Sequence, residues 1–501
     1  GLPPFRYEVG DGDGEAREGQ IWEAVDFLID QRLNNVCAIF NCNGQGQADY
    51  VSAQQSAEVL ARKLRAFGMS VKVIDAHEPQ QIDAALASAG RTRRPLAIVA
   101  RSQKGWGVQA LQDKTNHGKP LPAEKLDQAL AELDGMYSRL GVSRGADHLV
   151  PSAPRGKIDA LPSGPIRLPS FRQAIDAAGL TAALDKGRLA TRRAYGAALL
   201  ALGQADSRIV ALDGDVSNST FAEYFARKFP HRFFECKIAE QNMISTAAGL
   251  ATAGFIPFVS SFAKFLARGY DQLEMATISR ANIKLVGSHV GVTLAADGPS
   301  QMGLPDVAYF RSYTCVDSGQ ARPACVLFHP ADAVAAYRCT ELAANHLGLC
   351  YIRTHRPNVP LLYGPDESFE IGGSKQLADG DALTIVASGY MVHQALQAIQ
   401  QLAADGIHCS LIDAYSFPLR PEPILQAAQA TGRRILTLED NYGGGLGSAV
   451  AELAAAAGQN LQVQSMTCRR IPKSGRTPAD VMAYVGLGIA DIVQRVRSML
   501  P

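Results

Sequence analysis

The sequence has no apolar run long enough to cross a membrane, and its first residues show no signal-peptide pattern. Its formal charge is only +1 over 501 residues, which gives no reason to expect a nucleic-acid or membrane-surface partner. Its nine cysteines are odd in number and form no C-x-x-C pair, a pattern typical of reduced thiols. We therefore expect a cytoplasmic protein with neither a nucleic-acid nor a membrane partner.

Two common phosphate-binding motifs are also missing. The glycine-rich stretch from Gly443 to Gly447 lacks both the Lys-Ser/Thr ending of a P-loop and a G-x-G-x-x-G pattern, so we interpret it as a tight turn into a helix. The region around it, from about 371 to 501, alternates strands and helices but shows no convincing catalytic set.

The length and the 47% hydrophobic residues allow about three domains with large cores. Helix-period and strand-like segments alternate throughout, which predicts an α/β protein of three successive domains with mostly parallel sheets. We expect domains at 1–145, 186–370 and 371–501. Residues 146–185 are rich in proline and poor in apolar periodicity, so we expect a linker there.

A turn near the amino terminus, Gly12-Asp13-Gly14-Glu15, is followed by a helical pattern, a strand at Val36 to Phe40, and then Asn43. Open α/β folds bind ligands at the carboxyl ends of their parallel strands, so we expect Asp13 and Asn43 to meet at one edge of a sheet. The glycines allow backbone to approach an anion closely. Carboxylate and amide oxygens suit Mg²⁺ or Ca²⁺ holding a diphosphate.

The tripeptide Gly-Asp-Gly alone is more often a plain turn, and Asp11 is a second candidate ligand. We favour Asp13 because the turn then runs directly into the helix that carries Trp22. Lys104 and His117 follow the strand at Pro95 to Val99 in Gly/Pro-rich loops, where such residues are by default plain surface.

The middle region places polar residues after successive strands. Glu240 follows the strand around Phe233 to Cys236 and opens an apolar helix. A carboxylate at a helix start is commonly a dipole partner, but one that follows an apolar strand can be buried with a raised pKa. It could then hydrogen-bond a heterocyclic ring nitrogen and act as an acid. Phe262 and Phe265 share a face, and core packing is the default interpretation.

Several motifs together resemble transketolase, in that family's order and spacing over nearly the whole chain. Those that carry the resemblance are Gly12-Asp13-Gly14-Glu15, His117-Gly118-Lys119-Pro120, Ala190-Thr191-Arg192, Asn218-Ser219-Thr220, Ile238-Ala239-Glu240-Gln241-Asn242, Asp297-Gly298-Pro299-Ser300-Gln301 and Arg353-Thr354-His355-Arg356. Gln301 stands where microbial and plant enzymes usually carry His, which is similar to the animal-type branch.

The resemblance implies a thiamine diphosphate enzyme that moves a two-carbon ketol unit from a ketose phosphate to an aldose phosphate in the pentose phosphate pathway. It implies that Asp13, Asn43 and the carbonyl of Gln45 hold Mg²⁺ or Ca²⁺. It places Gly14, Asn43, Lys104 and His117 near the cofactor. Glu240 would bond the aminopyrimidine ring, Phe265 would stack on that ring, and Gln301 would line its pocket.

The same resemblance implies the substrate contacts and the assembly. Arg192, Ser219, His289 and Arg356 would grip the terminal phosphate of a sugar phosphate. Asp297 would bond a sugar hydroxyl, and His117 would relay protons as a catalytic residue beside Glu240. A homodimer is implied, with its active site between subunits.

Two departures from the family pattern stand out. Transketolases begin well over a hundred residues before the Gly-Asp-Gly turn, whereas eleven residues precede Gly12 here, so we expect an incomplete first sheet. A fragment of a longer protein, a separate completing polypeptide and a chain without normal activity remain open. The stretch from Tyr313 to Cys325 is also longer than usual, and we expect a surface excursion.

Two alternatives to an active transketolase stay open. One is an enzyme like 1-deoxyxylulose 5-phosphate synthase, which condenses pyruvate with glyceraldehyde phosphate. The phosphate set of Arg192, Ser219 and Arg356, together with the His117-Gly118-Lys119-Pro120 loop, argues against it. The other is a truncated, non-catalytic paralogue that serves as an assembly partner.

Overall fold

The computed structural model describes residues 7–141, 164–319 and 322–501. The chain divides into two compact units, Gly1–Asp159 and Ala160–Pro501. Each unit is described by itself below.

The first unit contains a wholly parallel sheet of four strands in the order β1-β2-β4-β3. The strands are β1 (Tyr7–Gly12), β2 (Val36–Cys42), β3 (Ser70–Asp75) and β4 (Leu96–Arg101), and the helices are α1 (Gly19–Asp30), α2 (Ala57–Phe67), α3 (Pro79–Leu86) and α4 (Leu126–Leu140). The central strand β4 is buried from Leu96 to Ala100, as expected of a parallel strand covered on both faces.

The amino-terminal turn differs from the sequence prediction in two respects. Gly12 ends strand β1, which was not predicted and pairs with β2 so that Gly12 lies opposite Asn41. Asp13 and Gly14 then lead into a 3₁₀ turn, Glu15–Arg17, and the α-helix with Trp22 begins only at Gly19. The prediction that the turn runs directly into this helix was therefore wrong. The Glu15 carboxylate explains part of the difference, because it accepts a hydrogen bond from the Gly12 N–H at 2.5 Å and tightens the turn.

The second unit contains a sheet of seven strands in the order β16-β10-β11-β9-β8-β6-β7 and one of five in the order β13-β15-β14-β17-β18. A short antiparallel pair joins β5 to β12. The strands are β5 (Arg188–Leu189), β6 (Ile209–Asp213), β7 (Phe233–Glu235), β8 (Ile256–Phe262), β9 (Lys284–Ser288), β10 (Cys325–Phe328), β11 (Leu349–Thr354), β12 (Val359–Pro360), β13 (Lys375–Ala378), β14 (Thr384–Ala387), β15 (Ser410–Asp413), β16 (Ser416–Phe417), β17 (Arg434–Leu438) and β18 (Gln462–Met466).

The helices of the second unit are α5 (Phe171–Ala177), α6 (Thr181–Leu184), α7 (Thr191–Ala205), α8 (Ser217–Thr220), α9 (Glu223–Lys228), α10 (Glu240–Thr252), α11 (Ala263–Leu266), α12 (Tyr270–Ile278), α13 (Asp306–Thr314), α14 (Ala333–Asn345), α15 (Tyr390–Ala403), α16 (Pro421–Ala430), α17 (Leu446–Ala456), α18 (Pro478–Val485) and α19 (Ile489–Met499). In the seven-stranded sheet, strands β6 to β11 pair parallel with one another, and the outer strand β16 pairs antiparallel with β10. In the five-stranded sheet, the outer strand β13 pairs antiparallel with β15, and the other pairs are parallel. The predicted α/β class with mostly parallel sheets is confirmed.

The segment predicted as a linker is partly folded. Helices α5 and α6 lie within it, and Phe171 and Ile175 pack in a buried cluster with residues of α7 and α14. A capping box formed by Ser170 and Gln173 starts α5. The linker prediction relied on the proline content of the segment and did not take this local helix-start signal into account. Residues 146–163 of the predicted linker lie outside the described residues.

Eight of the nine cysteines are buried, and Cys315 is exposed. Cys315 lies just past α13 on the longer stretch predicted as a surface excursion, where residues 320 and 321 are outside the described part. Over the described residues, none of the helices combines the length and apolarity that crossing a membrane requires.

Candidate active site

Asp13 and Asn43 meet at the carboxyl edge of the first sheet, because β1 and β2 are parallel neighbours and each residue follows its strand's last member. The side chain of Asp13 is buried, and its Oδ2 accepts a hydrogen bond from the Gly44 N–H at 2.6 Å. Burial raises the pKa of Asp13, while hydrogen bonds from the backbone, that of Gly44 first, act against the rise. A cation beside this carboxylate would offset the cost of burying its charge.

Asn43 and Gln45 form the loop that faces Asp13. Asn43 Oδ1 accepts from the Gln45 N–H at 2.8 Å, and Gln45 Nε2 donates to the Gln112 carbonyl at 3.3 Å. No group of three or more His, Cys, Asp or Glu side chains within the described ranges could hold a metal ion. A site built here from one carboxylate, one amide oxygen and one carbonyl therefore leaves positions that phosphate oxygens would complete.

Gly14 borders this loop and is exposed. A Cβ built on it would meet nothing within 4 Å, so there is open space above the backbone. The residues present thus fit a metal-bound diphosphate, with buried anionic oxygen on one side and free space on the other.

Gln55 is a site residue that the sequence analysis missed. Its buried side chain donates through Nε2 to the Asp13 carbonyl at 2.5 Å and also lies 3.4 Å from the Gly14 carbonyl. Gln55 also closes a capping box with Ser52 at the start of a 3₁₀ turn. The Ser-x-x-Gln spacing was the local signal that could have identified it.

Lys104 and His117 are brought together in the loops that follow β4. The Lys104 ammonium lies 2.9 Å from Nδ1 of His117, to which it can donate a hydrogen bond. Gly105 makes this loop possible, because its φ of +69° is left-handed and a Cβ there would collide with the Leu111 carbonyl. The arrangement places a cation and an imidazole at the same sheet edge as the strand ends.

His77, which follows β3, was also missed. Its Nε2 accepts a hydrogen bond from the Gln103 N–H at 2.9 Å, and its ring stacks on Trp106 with centroids 4.3 Å apart. Gln103 and Trp106 flank the Lys104–Gly105 turn, so His77 fixes the loop that carries Lys104. Its position after a strand end was the available signal.

The predicted residues of the second unit also follow consecutive parallel strands. Ser219 comes after β6, Glu240 after β7, Phe265 after β8, His289 after β9 and Arg356 after β11, while Arg192 lies in the first turn of α7. Because these strands are parallel neighbours, their carboxyl ends share one edge of the seven-stranded sheet.

Arg192, His289, Arg356 and Asp297 lie near one another, with the backbone carbonyl of Ser219 beside Arg192. Arg192 Nη1 donates to the Ser219 carbonyl at 2.8 Å and lies 3.4 Å from His289 Nε2. Arg356 Nη1 donates to Asp297 Oδ2 at 2.7 Å. The set thus contains two guanidinium groups and one carboxylate, an excess of positive charge that suits a phosphate.

The pKa values of these groups reflect their crowding. The pKa of Arg192 is lowered to about 10, first by burial and then by repulsion from Arg356 and Arg193, so the guanidinium stays charged at neutral pH. The pKa of His289 is lowered to about 3 by burial and by Arg192 and Arg356. His289 is therefore neutral at pH 7 and takes part through hydrogen bonds alone. Its backbone is left-handed, with φ of +59°, which is unusual for a side chain other than glycine.

Glu240 is the first residue of α10 and is buried, with 2% of its surface exposed. Arg268 Nε lies 3.8 Å from its Oε2, and the Arg268 side chain is itself 65% exposed. The structure confirms the prediction that this carboxylate is buried.

Phe265 forms one side of a stack of three rings. It lies against Phe262 with centroids 4.9 Å apart, and Phe262 lies against His289 at 3.8 Å. Gln301 ends a 3₁₀ turn, Pro299–Gln301, and is half-buried. The shared face of Phe262 and Phe265 was predicted, and it extends to His289.

Asp213 was not assigned a role from the sequence, yet it holds the Ser219 turn. Its Oδ1 accepts from the Val216 N–H and its Oδ2 from the Thr220 hydroxyl, both at 2.7 Å. Burial raises its pKa to about 7 despite these hydrogen bonds. This carboxylate therefore orients the turn that carries Ser219.

The structure thus brings the predicted residues together in two sets. Asp13, Gly14, Asn43, Gln45, Lys104 and His117 share the first sheet's edge, and Arg192, Ser219, Glu240, Phe265, His289, Asp297, Gln301 and Arg356 share the edge of the seven-stranded sheet. The sets lie in different units of the chain.

Three family models match the chain in succession: the thiamine diphosphate binding domain of transketolase over residues 6–140, its pyrimidine binding domain over 187–360, and its C-terminal domain over 372–492. The chain is 38% identical to a transketolase of Homo sapiens over 495 residues, covering 98% of this chain and 75% of the human protein. It is 37% identical to transketolase-like protein 1 of Bos taurus over 499 residues, covering 98% of this chain and 79% of that protein.

Solved structures show the same similarity. A split gene transketolase, described as an inactive β4 tetramer, matches 62% of this chain and 98% of its own, with 36% identity and a TM-score of 0.55. A transketolase from Campylobacter jejuni covers 99% of this chain and 77% of its own with a TM-score of 0.77; at 18% identity this likeness shows the fold alone. On these sequence and structural similarities, the chain belongs to the transketolase family.

Proposed function

We propose that this chain is a transketolase that transfers a two-carbon ketol unit from a ketose phosphate, such as xylulose 5-phosphate, to an aldose phosphate, such as ribose 5-phosphate, in the pentose phosphate pathway. The observation that carries the proposal is the arrangement of Arg192, Ser219, His289 and Arg356 at one sheet edge. Two guanidinium groups beside a neutral imidazole suit the terminal phosphate of a sugar.

Thiamine diphosphate and Mg²⁺, or Ca²⁺, are the proposed cofactors. Asp13, Asn43 and the Gln45 carbonyl would hold the metal, with Gly14, Lys104 and His117 beside the diphosphate. The buried Asp13 carboxylate and the open space above Gly14 support this assignment. When bound, thiamine diphosphate supplies the electron sink that ketol transfer requires.

Glu240 is proposed to hold a proton against the pyrimidine ring of the cofactor. A buried carboxyl group that carries its proton can donate a hydrogen bond to a ring nitrogen. Phe265 would present its ring face to the pyrimidine, and Gln301 would line the pocket. His117 would move protons at the substrate oxygens, and Asp297 would accept from a sugar hydroxyl.

We propose that the chain works as a homodimer in the cytoplasm, with three domains at 1–145, 186–370 and 371–501. Nine cysteines, odd in number and without a C-x-x-C pair, fit a reducing compartment. Ile238, two residues before Glu240, leaves 75% of its surface exposed, an apolar contact that a second copy could cover. Sedimentation should show a dimer, and a monomer at assay concentration would contradict this assembly.

The function is tested by assaying the native protein with thiamine diphosphate, Mg²⁺, xylulose 5-phosphate and ribose 5-phosphate. We expect sedoheptulose and glyceraldehyde phosphates as products, and no product from pyruvate with glyceraldehyde phosphate. Product from pyruvate with glyceraldehyde phosphate, and none from xylulose 5-phosphate with ribose 5-phosphate, would favour a deoxyxylulose phosphate synthase.

The role of Glu240 is tested with Glu240→Gln against the exposed Glu274→Gln as a control. Glu240→Gln should lower turnover by at least about a hundredfold, since general acid–base groups contribute roughly 10²–10⁴. Unchanged turnover in Glu240→Gln would show that the assignment is wrong.

A further inference from the structure

One threonine hydroxyl joins the two backbone segments that carry Arg192 and Arg356. Thr191 is the first residue of α7 and is fully buried. Its Oγ1 accepts a hydrogen bond from the His355 N–H at 2.8 Å and lies 3.4 Å from the His355 carbonyl, to which it can donate. The next residue in each segment is the arginine, so this contact lies one residue away from both guanidinium-bearing positions.

Only a hydroxyl can fill this role with one side-chain group. The backbone of His355 offers one N–H donor and one carbonyl acceptor. A hydroxyl can pair with both, because its oxygen accepts one hydrogen bond and its O–H donates another. His355 is itself fully buried, so these backbone groups have no access to bulk water. Losing the hydroxyl would leave buried backbone groups unsatisfied and shift the segment.

The two arginines need such a restraint because their charges repel. Arg356 is one of the causes that lower the pKa of Arg192, and both arginines lower that of His289. Both guanidinium groups therefore lie near the His289 ring, and Arg192 Nη1 is 3.4 Å from its Nε2. Without a phosphate between them, repulsion favours a wider separation.

A second connection keeps the segments together. Strand β5 pairs with β12, so that Leu189 lies opposite Val359, and Arg188 Nη2 donates to the Asn358 carbonyl at 3.2 Å. Removing the Thr191 hydroxyl should therefore change the spacing of the arginines without separating α7 from the end of β11.

We propose that Thr191 is a positioning residue that sets the distance between Arg192 and Arg356, and thereby the affinity for the terminal phosphate of the substrate. The proposal rests on the proposed function, because it assigns the phosphate as the group between the arginines. Thr191 does not touch the substrate in this proposal and acts only through the two backbone segments.

The test compares Thr191→Val, which keeps the shape but loses the hydroxyl, with Thr191→Ser, which keeps the hydroxyl. Turnover is measured with xylulose 5-phosphate and with unphosphorylated xylulose, using glycolaldehyde as the acceptor so that only the donor carries phosphate. In Thr191→Val the KM for xylulose 5-phosphate should rise about tenfold, equivalent to about 1.4 kcal/mol. Its kcat should stay within about twofold, the KM for xylulose should not change, and Thr191→Ser should resemble the wild type.

An equal rise in KM for both donors, or no rise for either, would overturn the proposal, as would a Thr191→Ser variant that behaves like Thr191→Val. Thr191→Ala replaces Thr191→Val if the latter does not fold, as judged by its thermal unfolding.

A second measurement is independent of turnover. Binding of inorganic phosphate is followed by phosphorus NMR in the wild type, Thr191→Val, Thr191→Ser and Arg356→Ala. Phosphate affinity should fall in Thr191→Val and Arg356→Ala and persist in Thr191→Ser. If the wild type transfers no ketol unit but shows this pattern, the proposed function fails while the role of Thr191 stands. Equal phosphate binding in all four proteins overturns the role of Thr191.

Discussion

The carboxylate of Asp297 accepts a hydrogen bond from the Arg356 guanidinium at 2.7 Å, although the two residues are 59 positions apart. Both side chains are partly exposed, so the pair is solvated and weak compared with a buried ion pair. Asp297 therefore occupies part of the guanidinium surface that a phosphate would use. A bound phosphate and Asp297 must share or exchange the Arg356 donors.

Replacing Asp297 by Asn should tighten the binding of inorganic phosphate by up to about fivefold, because an exposed ion pair is worth about 0.2–1 kcal/mol. Phosphorus NMR titration measures this, with the exposed Asp271→Asn on α12 as a control for the change in net charge. Weaker phosphate binding in Asp297→Asn would show instead that the carboxylate orients Arg356 for the ligand.

Replacing Gln55 by Met should weaken Mg²⁺-dependent binding of thiamine diphosphate. The change removes the hydrogen bonds from Nε2 to the carbonyls of Asp13 and Gly14, so the turn that carries Asp13 loses its support. We expect the affinity for thiamine diphosphate to fall roughly tenfold, since leaving a buried acceptor unsatisfied costs about 1–3 kcal/mol. Calorimetric titration measures it, and the exposed neighbour Gln54→Met is the control. Equal affinities in the two variants would contradict the role of Gln55.

Replacing Lys104 by Met should weaken the binding of thiamine diphosphate but not of thiamine, which lacks the diphosphate. Hydrogen bonds to charged groups contribute about 1.5–3 kcal/mol, so we expect the affinity for thiamine diphosphate to fall roughly ten- to a hundredfold. Fluorescence of Trp106, two residues away, is a convenient signal. Lys114→Met is the matched control, because Lys114 pairs with Asp49 instead. An equal effect on both ligands would show that Lys104 does not contact the diphosphate.

Replacing His355 by Phe should reduce the uptake of protons on denaturation at pH 5 by about one. Burial, followed by His393 and the arginines Arg192 and Arg353, lowers the pKa of His355 to about 3, whereas an unfolded histidine has a pKa of about 6.5. Between these values the unfolded chain holds the extra proton, so His355 makes the protein less stable as the pH falls from about 6.5 towards 3.

This substitution suits the site because neither ring nitrogen of His355 has a hydrogen-bond partner among the described residues, and Phe can keep the ring contact with Tyr390. Proton uptake is measured in a pH-stat after addition of denaturant. The exposed His408→Phe is the control for replacing a histidine by phenylalanine elsewhere in the chain. Equal uptake in His355→Phe and the wild type would mean that His355 is already protonated in the folded protein.

Much of the fold could be predicted from local patterns. The strands before Asn43 and His289 are apolar runs bounded by turn residues, and Glu240 lies a few residues after the strand Phe233–Glu235. Because parallel strands align their carboxyl ends, the order of these runs was enough to predict which polar residues gather at an edge.

Strand β1 could not be predicted in the same way. Its residues, Tyr7 to Gly12, mix glycine and acidic side chains and show no apolar alternation. The segment becomes a strand because β2 offers it a parallel partner, so pairing overrides a poor local propensity. The helix that was expected to follow the Gly12-Asp13-Gly14 turn directly begins at Gly19, and the turn itself is closed by the hydrogen bond from the Gly12 N–H to Glu15.

The sequence by itself determined which chemical groups are available and on which strand ends they lie, because side-chain identity and hydrophobic period are local properties. Only the tertiary structure decided which of those groups touch. Asp297 pairs with Arg356, Arg192 contacts His289, and Thr191 meets His355 across 164 positions. Such contacts depend on how separate elements pack, and no local pattern records the distance between two backbone segments.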